Sequence, residues 1–510
     1  MTGPPSAGEA ALAARVLATL LQEDYAGLRS RVDGDVLRLP GRDVALTTPS
    51  PGFVRDREID AAGLRLDDVL AAVRALADPS DDVAAFADEC RAALAARGRL
   101  AAAAPTVRRA LGGPLGPGVF YETLAAYAGH PVHPLGHART GLSDAELERY
   151  APEHAPSFTL RWARVPRSAA ETAGTRPAWW PEADAGDDVF PVHPLTAPRV
   201  GGVLPWPGPA VRPTLSMRTV AAGPLTHLKL PLPTSTLGLR NRRTIAPATL
   251  ADGARAERLL RAVLAREPGL PVLLADEQTY GHAGDPMLGY LVRRFPPETL
   301  GAHVVPVAAL LAEHPDGGPV IAQWDVPDLF GRYLDALFAW NVTLFRYGIA
   351  LEAHQQNVSL VLRGPDLRLL IKDNDGAMVD PARCAARLGP DAEPVRFDDA
   401  RMLTRDPEAL ARVFVTITLH LCAAAPAFGL AERGLLPLRA ALGMVRDRLD
   451  AALGGGDAFL RARTLDAARL PGKAMLTAGT LVAKARTGAA DINKHYGPDG
   501  PNYLRDGTCS

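Results

Sequence analysis

Residues 351–378, LEAHQQNVSLVLRGPDLRLLIKDNDGAM, set His354, Gln355, Gln356 and Asn357 before one apolar run and Lys372, Asp373, Asn374 and Asp375 after a second. VSLVLRG and LRLLIKD flank Pro365 and Asp366, which predicts a hairpin turning at those two residues. A hairpin brings its outer ends together, so Asn357 and Asp373 are expected side by side. Two hard oxygen ligands suit Mg²⁺, which keeps several waters and binds nucleotide phosphates, and His354 adds a group able to contact phosphate. The plainer alternative is a hairpin whose polar ends are merely solvated. Protein kinases pair an Asn with a later Asp in the same way, but no H-R-D, D-F-G or G-x-G-x-x-G is present, so a protein kinase is not expected.

Two further clusters carry chemistry. Residues 212–245, RPTLSMRTVAAGPLTHLKLPLPTSTLGLRNRRTI, gather Ser216, Arg218, Thr219, Lys229, Thr236, Arg240, Arg242 and Arg243. Hydroxyls and guanidinium forks match phosphate and carboxylate oxygens. Lys229, between Leu228 and Leu230, is expected to hold a point charge on one sheet face, whereas Arg242 and Arg243 read as a solvated basic edge. The third cluster, GHPVHPLGHARTGLS at 129–143, is followed by VHPL at 192–195. Its prolines deny His130, His133 and His137 the helical spacing of H-E-x-x-H, and no Cys or acid completes a zinc set. That leaves a rigid loop presenting histidines and Arg139 to a substrate, or a structural His-Pro turn.

The elements that must position these groups follow from periodicity. Residues 8–28, 66–78 and 81–101 have helical apolar spacing, and 36–48 alternate about a Pro-Gly turn as a hairpin would. Seven prolines between Pro191 and Pro213 predict a loop-rich connection. LTHLKLPL (225–232), LPVLLA (270–275) and MLGYLVRRF (287–295) read as strands, with a helix near 254–266. Helical spacing over 326–351 ends at Gly348, and further helices are expected at 407–427 and 432–452. The apolar window 413–425 is too short to span a bilayer and reads as a core helix.

Composition narrows the class. The chain has 510 residues, enough for two or three domains, and 56 Lys and Arg balance 57 Asp and Glu. No net field therefore favours nucleic acid or a membrane surface, and any anion site is local. Cys90, Cys384, Cys422 and Cys509 lie far apart, and the first residues lack a signal-peptide pattern, so a cytoplasmic protein is expected.

The three clusters, in this order, resemble the IucA/IucC family of siderophore synthetases that work independently of nonribosomal peptide synthetases. The resemblance rests on HPVHPLGHARTG, VHPL, SMRT, the K-L strand followed by T-x-x-x-R, EAHQQN and the later Lys-Asp pair, from about 129 to 376. It implies an α+β cupped hand: a mainly helical thumb (1–150), fingers with anion-binding strands (151–322) and a kinase-like palm carrying the hairpin and C-terminal helices (323–510). It implies an AMP-forming ligase that adenylates citrate or a related acid and passes the acyl group to an amine or alcohol, with ATP and Mg²⁺ and as a homodimer. Ser216, Arg218, Thr219 and Lys229 would hold the triphosphate, with His354, Gln356 and Asn357 lining the nucleotide pocket. Asn357, Asp373 and Glu352 would take Mg²⁺; Thr236, Arg240 and His354, with His133 and Arg139, would meet the carboxylate substrate; and Arg218, Lys229, Arg240 and His354 would carry catalysis. The chain departs from the family pattern at His137 (usually Lys), Leu195-Thr196 (usually Trp-Gln) and Lys372 (usually Arg). A small-molecule phosphotransferase using the hairpin alone, and a degenerate subunit that only binds ATP or a carboxylate, are the alternatives.

Overall fold

The computed structural model describes residues 4–389, 393–489 and 494–505; Cys509 lies outside them. At the N-terminal end, Ser6 and Asp82 cap the helices Ala7–Gln22 and Val83–Ala110 by accepting the backbone N–H of Glu9 and Ala85. With the helix Leu66–Leu76 these bury their apolar faces against a four-stranded antiparallel sheet within residues 32–59. The expected hairpin forms the middle of that sheet, with Leu39 opposite Arg42 across Pro40-Gly41. Leu476 and Leu481, from near the other end of the chain, complete the same core.

The middle of the chain builds an eight-stranded antiparallel sheet. Its strand order is 171–173, 276–282, 289–294, 226–229, 219–223, 203–213, 158–166 and 187–192. Here the proline-rich stretch corrects the expectation of a loop, because Val203–Pro213 is a strand of 11 residues. Strand Thr219–Gly223 pairs only with its Arg212 and Pro213. Most of that edge has no ladder partner, and prolines without an N–H are tolerated there.

A third sheet holds the hairpin. Val358–Arg363 pairs with Asp366–Ile371, and Val272–Leu274 runs parallel to the second of these strands. The turn is Gly364-Pro365 rather than Pro365-Asp366, because Arg363 pairs with Asp366. Gly364, at φ 54°, supplies the positive φ required of the first central residue of a type II′ turn. At Ala275 the chain leaves this sheet and enters the large one as Asp276–His282. That crossing seats the end of the hairpin beside the strands carrying Lys229 and Arg293.

The helix Val326–Arg346, capped by the Asp325 side chain, buries Phe330, Tyr333, Phe338 and Trp340, and two residues past its end stands Gly348, φ 77°. The helical run Pro407–Glu432 is long and apolar enough to cross a membrane, but 94% of its most apolar window is buried inside the fold, where it serves as core.

Candidate active site

Strand alternation places the first cations. Thr219 and Lys229 are directly opposite each other, and His227 faces Arg293, so Lys229 and Arg293 share one face of the sheet. Leu228 and Leu230 point the other way, into an apolar core. Two residues beyond the hairpin strand, Asp373 meets this face. Lys229 Nζ lies 2.5 Å from Asp373 Oδ1 and 2.9 Å from Asp375 Oδ2, and Arg293 Nη2 is 3.3 Å from the same Asp373 oxygen. Burial alone would raise the Asp373 carboxyl, but Lys229, Arg293 and Arg218 outweigh it and hold the group far below the usual carboxylate range. Lys229 is thus committed to two carboxylates, a pairing its expected phosphate role did not anticipate.

Buried acids absent from the expected set lock this arrangement. Glu277 pairs with Arg293 at 2.5 Å and accepts the Asp373 N–H at 2.9 Å and the Asn374 N–H at 3.3 Å. Glu122 pairs with Lys372 at 2.6 Å and accepts the Leu215 N–H at 3.1 Å, tying the Ser216 turn to the end of the hairpin. The expected pairing of Asn357 with Asp373 is shifted by one residue, since Asn357 accepts the backbone N–H of Lys372. Asn357 and Asp373 nevertheless line one cavity, with Asp373 in the left-handed region at φ 67°. Met217 (φ 63°) and Leu237 (φ 57°), beside Ser216 and Thr236, are left-handed as well. Such backbone is uncommon away from glycine and is held there only by the surrounding structure.

The cavity measures about 850 Å³ and has ten Lys or Arg side chains against four Asp or Glu in its lining, although the whole chain is nearly neutral. Arg218 donates to Thr244 O at 2.9 Å, Arg240 to Ala478 O at 2.6 Å and Arg243 to Thr236 Oγ1 at 2.6 Å. None of these three has an ion pair among the described residues. Arg243 is therefore no solvated edge: burial, then its neighbour Arg218, pulls its guanidinium down to about 9. Arg242, by contrast, stays exposed, as expected. Ser216 Oγ accepts the Thr219 N–H at 3.1 Å, and Gln356, like Ser216 and Thr219, lies against the narrow recess that adjoins Asp373.

The histidines divide by their backbone bonds. His354 Nδ1 accepts the Gln356 N–H at 3.3 Å and His130 Nδ1 accepts the His133 N–H at 2.9 Å, so each neutral ring carries its hydrogen on Nε2. Burial keeps His354 neutral, at about 4. His137 also lines the cavity, its ring lying where a Cβ on Gly129 would be 2.9 Å from Cε1. The placements of His133 and Arg139 correct the expected substrate contacts. His133 is 2% exposed and lies behind the lining, its Nδ1 accepting from Leu135 N. Arg139 does border the cavity, but its guanidinium is spent on a bidentate pair with Glu153 at 2.8 and 3.0 Å. His193 and Thr196 of the VHPL element are buried, with Thr196 Oγ1 donating to Pro231 O at 2.7 Å.

For a divalent cation, the expected donors are all hard oxygens. Glu352 lies against the turn carrying Asp375, where a Cβ on Gly376 would come within 2.6 Å of Glu352 Oε2. Both cations on Asp373 take Oδ1. No group of three His, Cys, Asp or Glu side chains able to hold a metal ion by itself occurs among the described residues. The set fits Mg²⁺, which commonly takes one or two protein carboxylates and completes its shell with phosphate oxygens and water.

Residues 118–312 match the IucA / IucC family model, and residues 327–488 match one described as ferric iron reductase FhuF-like transporter. In that second region Cys384 and Cys422 are single, buried thiols. The rhizobactin siderophore biosynthesis protein RhbC of Rhizobium meliloti is 28% identical over 49% of this chain and 52% of its own. Staphyloferrin B synthase of Staphylococcus aureus is 26% identical over 63% of this chain and 66% of its own. The chain thus spans about half to two thirds of the length of the curated relatives it matches. The ATP-bound aerobactin synthetase IucA from a hypervirulent pathotype of Klebsiella pneumoniae shares the fold, with a TM-score of 0.74 over 97% of this chain and 99% of that one at 18% identity. Taken with the order of the cavity-lining clusters, these matches support a place in the IucA/IucC family, whose model covers residues 118–312 of this chain.

Proposed function

We propose that this chain uses ATP to adenylate a carboxylic acid of the citrate type and condenses it with an amine or alcohol. The observation that carries the reading is the contact of Lys229 with Asp373 and Asp375 inside one cavity, beside three guanidiniums with no ion pair among the described residues. Partly buried cations of this kind favour bound anions, because a charge pair at 4 Å is worth about 4 kcal/mol at an effective dielectric near 20 and about 1 in water. Two anionic substrates, a nucleoside triphosphate and a polycarboxylate, suit that surplus. The staphyloferrin B synthase and ATP-bound aerobactin synthetase relatives point the same way.

In this reading Ser216, Arg218 and Thr219 hold the triphosphate, with Lys229 fixing the acids beside it. Thr236 and Arg240 orient the acid, and His354 offers a neutral Nε2–H to an oxygen. Asn357, Asp373 and Glu352 would hold Mg²⁺, which when bound offsets phosphate charge. A carboxylate oxygen attacks the α-phosphorus, forming an O–P bond as pyrophosphate leaves. The amine or hydroxyl then attacks the acyl carbon, the bond to AMP oxygen breaks, and the nucleophile gives up its proton. No enzyme nucleophile is required; positioning and charge stabilisation do the catalysis. Residues 1–150, 151–322 and 323–510 act as thumb, fingers and palm around the cavity.

Incubation with ATP, Mg²⁺, a panel of acids that includes citrate, and hydroxylamine is expected to release pyrophosphate and yield a hydroxamate. ADP and orthophosphate as the sole nucleotide products would instead indicate phosphotransfer and overturn the reading.

A further inference from the structure

The loop at 236–241, which the proposed function places on the carboxylate, is gripped from behind by the N-terminal helices. Glu89, on Val83–Ala110, is 3% exposed. Its Oε1 accepts the Gly238 N–H at 2.9 Å and its Oε2 accepts the Thr480 hydroxyl at 2.6 Å. Thr480 Oγ1 in turn accepts the Leu239 N–H at 2.9 Å. One residue further on, Arg240 donates its backbone N–H to Gly479 O at 3.0 Å and its guanidinium to Ala478 O at 2.6 Å. Gly238, at φ 107°, approaches Gly479 so closely that a Cβ on it would lie 2.7 Å from Gly479 Cα. Glu23, following the helix Ala7–Gln22, fixes the near end of the same segment by accepting from Leu476 N at 3.0 Å and Thr477 N at 2.7 Å.

Glu89 has no cation partner among the described residues, and burial raises its carboxyl. A buried carboxylate held by one amide and one hydroxyl is a poor device for stability, since burying an unpaired charge is costly. Its bonds go instead to the two backbone segments that flank Arg240. We infer that Glu89 is a positioning residue, which through Gly238 and Thr480 sets where the Arg240 guanidinium stands in the cavity. The inference rests on the reading of Arg240 as a carboxylate-binding group.

The test is a double-mutant cycle on the full chain. Glu89→Met removes both acceptor oxygens at similar volume; Glu89→Gln keeps an oxygen for Gly238 N–H and an amide that can donate to Thr480. Citrate and ATP affinities are read by titration calorimetry, and turnover alongside them. Glu89→Met is expected to weaken citrate binding about 10- to 100-fold, the scale of a small misplacement, with ATP affinity within about twofold. Glu89→Gln should restore most of the loss, and Glu89→Met should add nothing in an Arg240→Ala background. The same factor in both backgrounds, or a Gln variant as impaired as Met, would overturn the inference. If Arg240→Ala and Glu89→Met both altered ATP affinity and left citrate untouched, without adding to each other, the coupling would stand and the carboxylate assignment of Arg240 would fall. Should Glu89→Met fail to fold, Thr480→Val, which keeps the shape and deletes the bridging hydroxyl, is read through the same cycle with the same expectations.

Discussion

The two sides of the cavity handle charge in opposite ways. On the side built from strands, every cation has an acid: Lys229 with Asp373 and Asp375, Arg293 with Glu277 and Asp373, Lys372 with Glu122. On the side built from the Ser216 turn and the loop after the Lys229 strand, Arg218, Arg240 and Arg243 bond, among the described residues, to carbonyls and a hydroxyl. The paired side is balanced within itself and works as scaffold, with Asp373 still offering an oxygen to a metal. The unpaired side is electrostatically unfinished, and an incoming anion supplies what it lacks.

The comparison can be broken by substitution. The largest effect is expected for Arg218→Ala or Arg240→Ala, each lowering turnover about 10²- to 10³-fold, the scale of losing one preorganised charge-stabilising group; near-normal kinetics in both would show that the anion sites lie elsewhere. Asp373→Asn, on the paired side, should raise the Mg²⁺ requirement about 10- to 100-fold in a metal titration of the rate. A change confined to citrate affinity would place Asp373 outside the metal set.

Stability sharpens the contrast further. Arg243 sits near 9 in the folded chain, below the usual arginine value, so the unfolded state binds its proton more readily. Its burial penalty is therefore fully present below about pH 9 and is relieved as pH rises from there. At pH 7.5, Arg243→Met should raise the ligand-free Tm by about a degree or two while shrinking the Tm increase given by ATP. A lower ligand-free Tm would mean the guanidinium is already compensated. The smallest effect concerns Glu23, pushed up to about 7 by burial. The stability of its protonated form is fully present below about pH 4.5 and is lost as pH rises through 7, so wild type should lose Tm relative to Glu23→Gln between pH 5 and pH 8. Parallel melting curves across that range would count against a raised carboxyl.

The ends of the hairpin and the cation-rich stretch were legible because each bunches polar side chains against apolar runs within a short window. Glu122 and Glu277 were not. Their partners Lys372 and Arg293 lie 250 and 16 residues away in sequence. An acid in an apolar stretch such as VFYETLA or an alternating one such as DEQTYGH gives no local sign of its partner. An acid on an otherwise apolar helix turn, as Glu122 is, was the one available hint. Arg243 misled for the reverse reason: adjacent arginines after an Asn resemble surface, and only the fold brings Thr236 and Arg218 around the second of them. The strand Val203–Pro213, which holds four of the seven prolines, was hidden because its tolerance depends on how far a neighbouring strand extends.

The crossing at Ala275 has a mechanical consequence. Because one continuous chain passes from the sheet of the hairpin into the large sheet at that residue, the carboxylate end and the Lys229 shelf are tied together by backbone as well as by the Lys229 and Arg293 ion pairs to Asp373. The opposite wall is held differently: there the segment 477–481 hangs from the N-terminal helices by the side chains of two glutamates, so a carboxylate far from the cavity bears on where that wall stands.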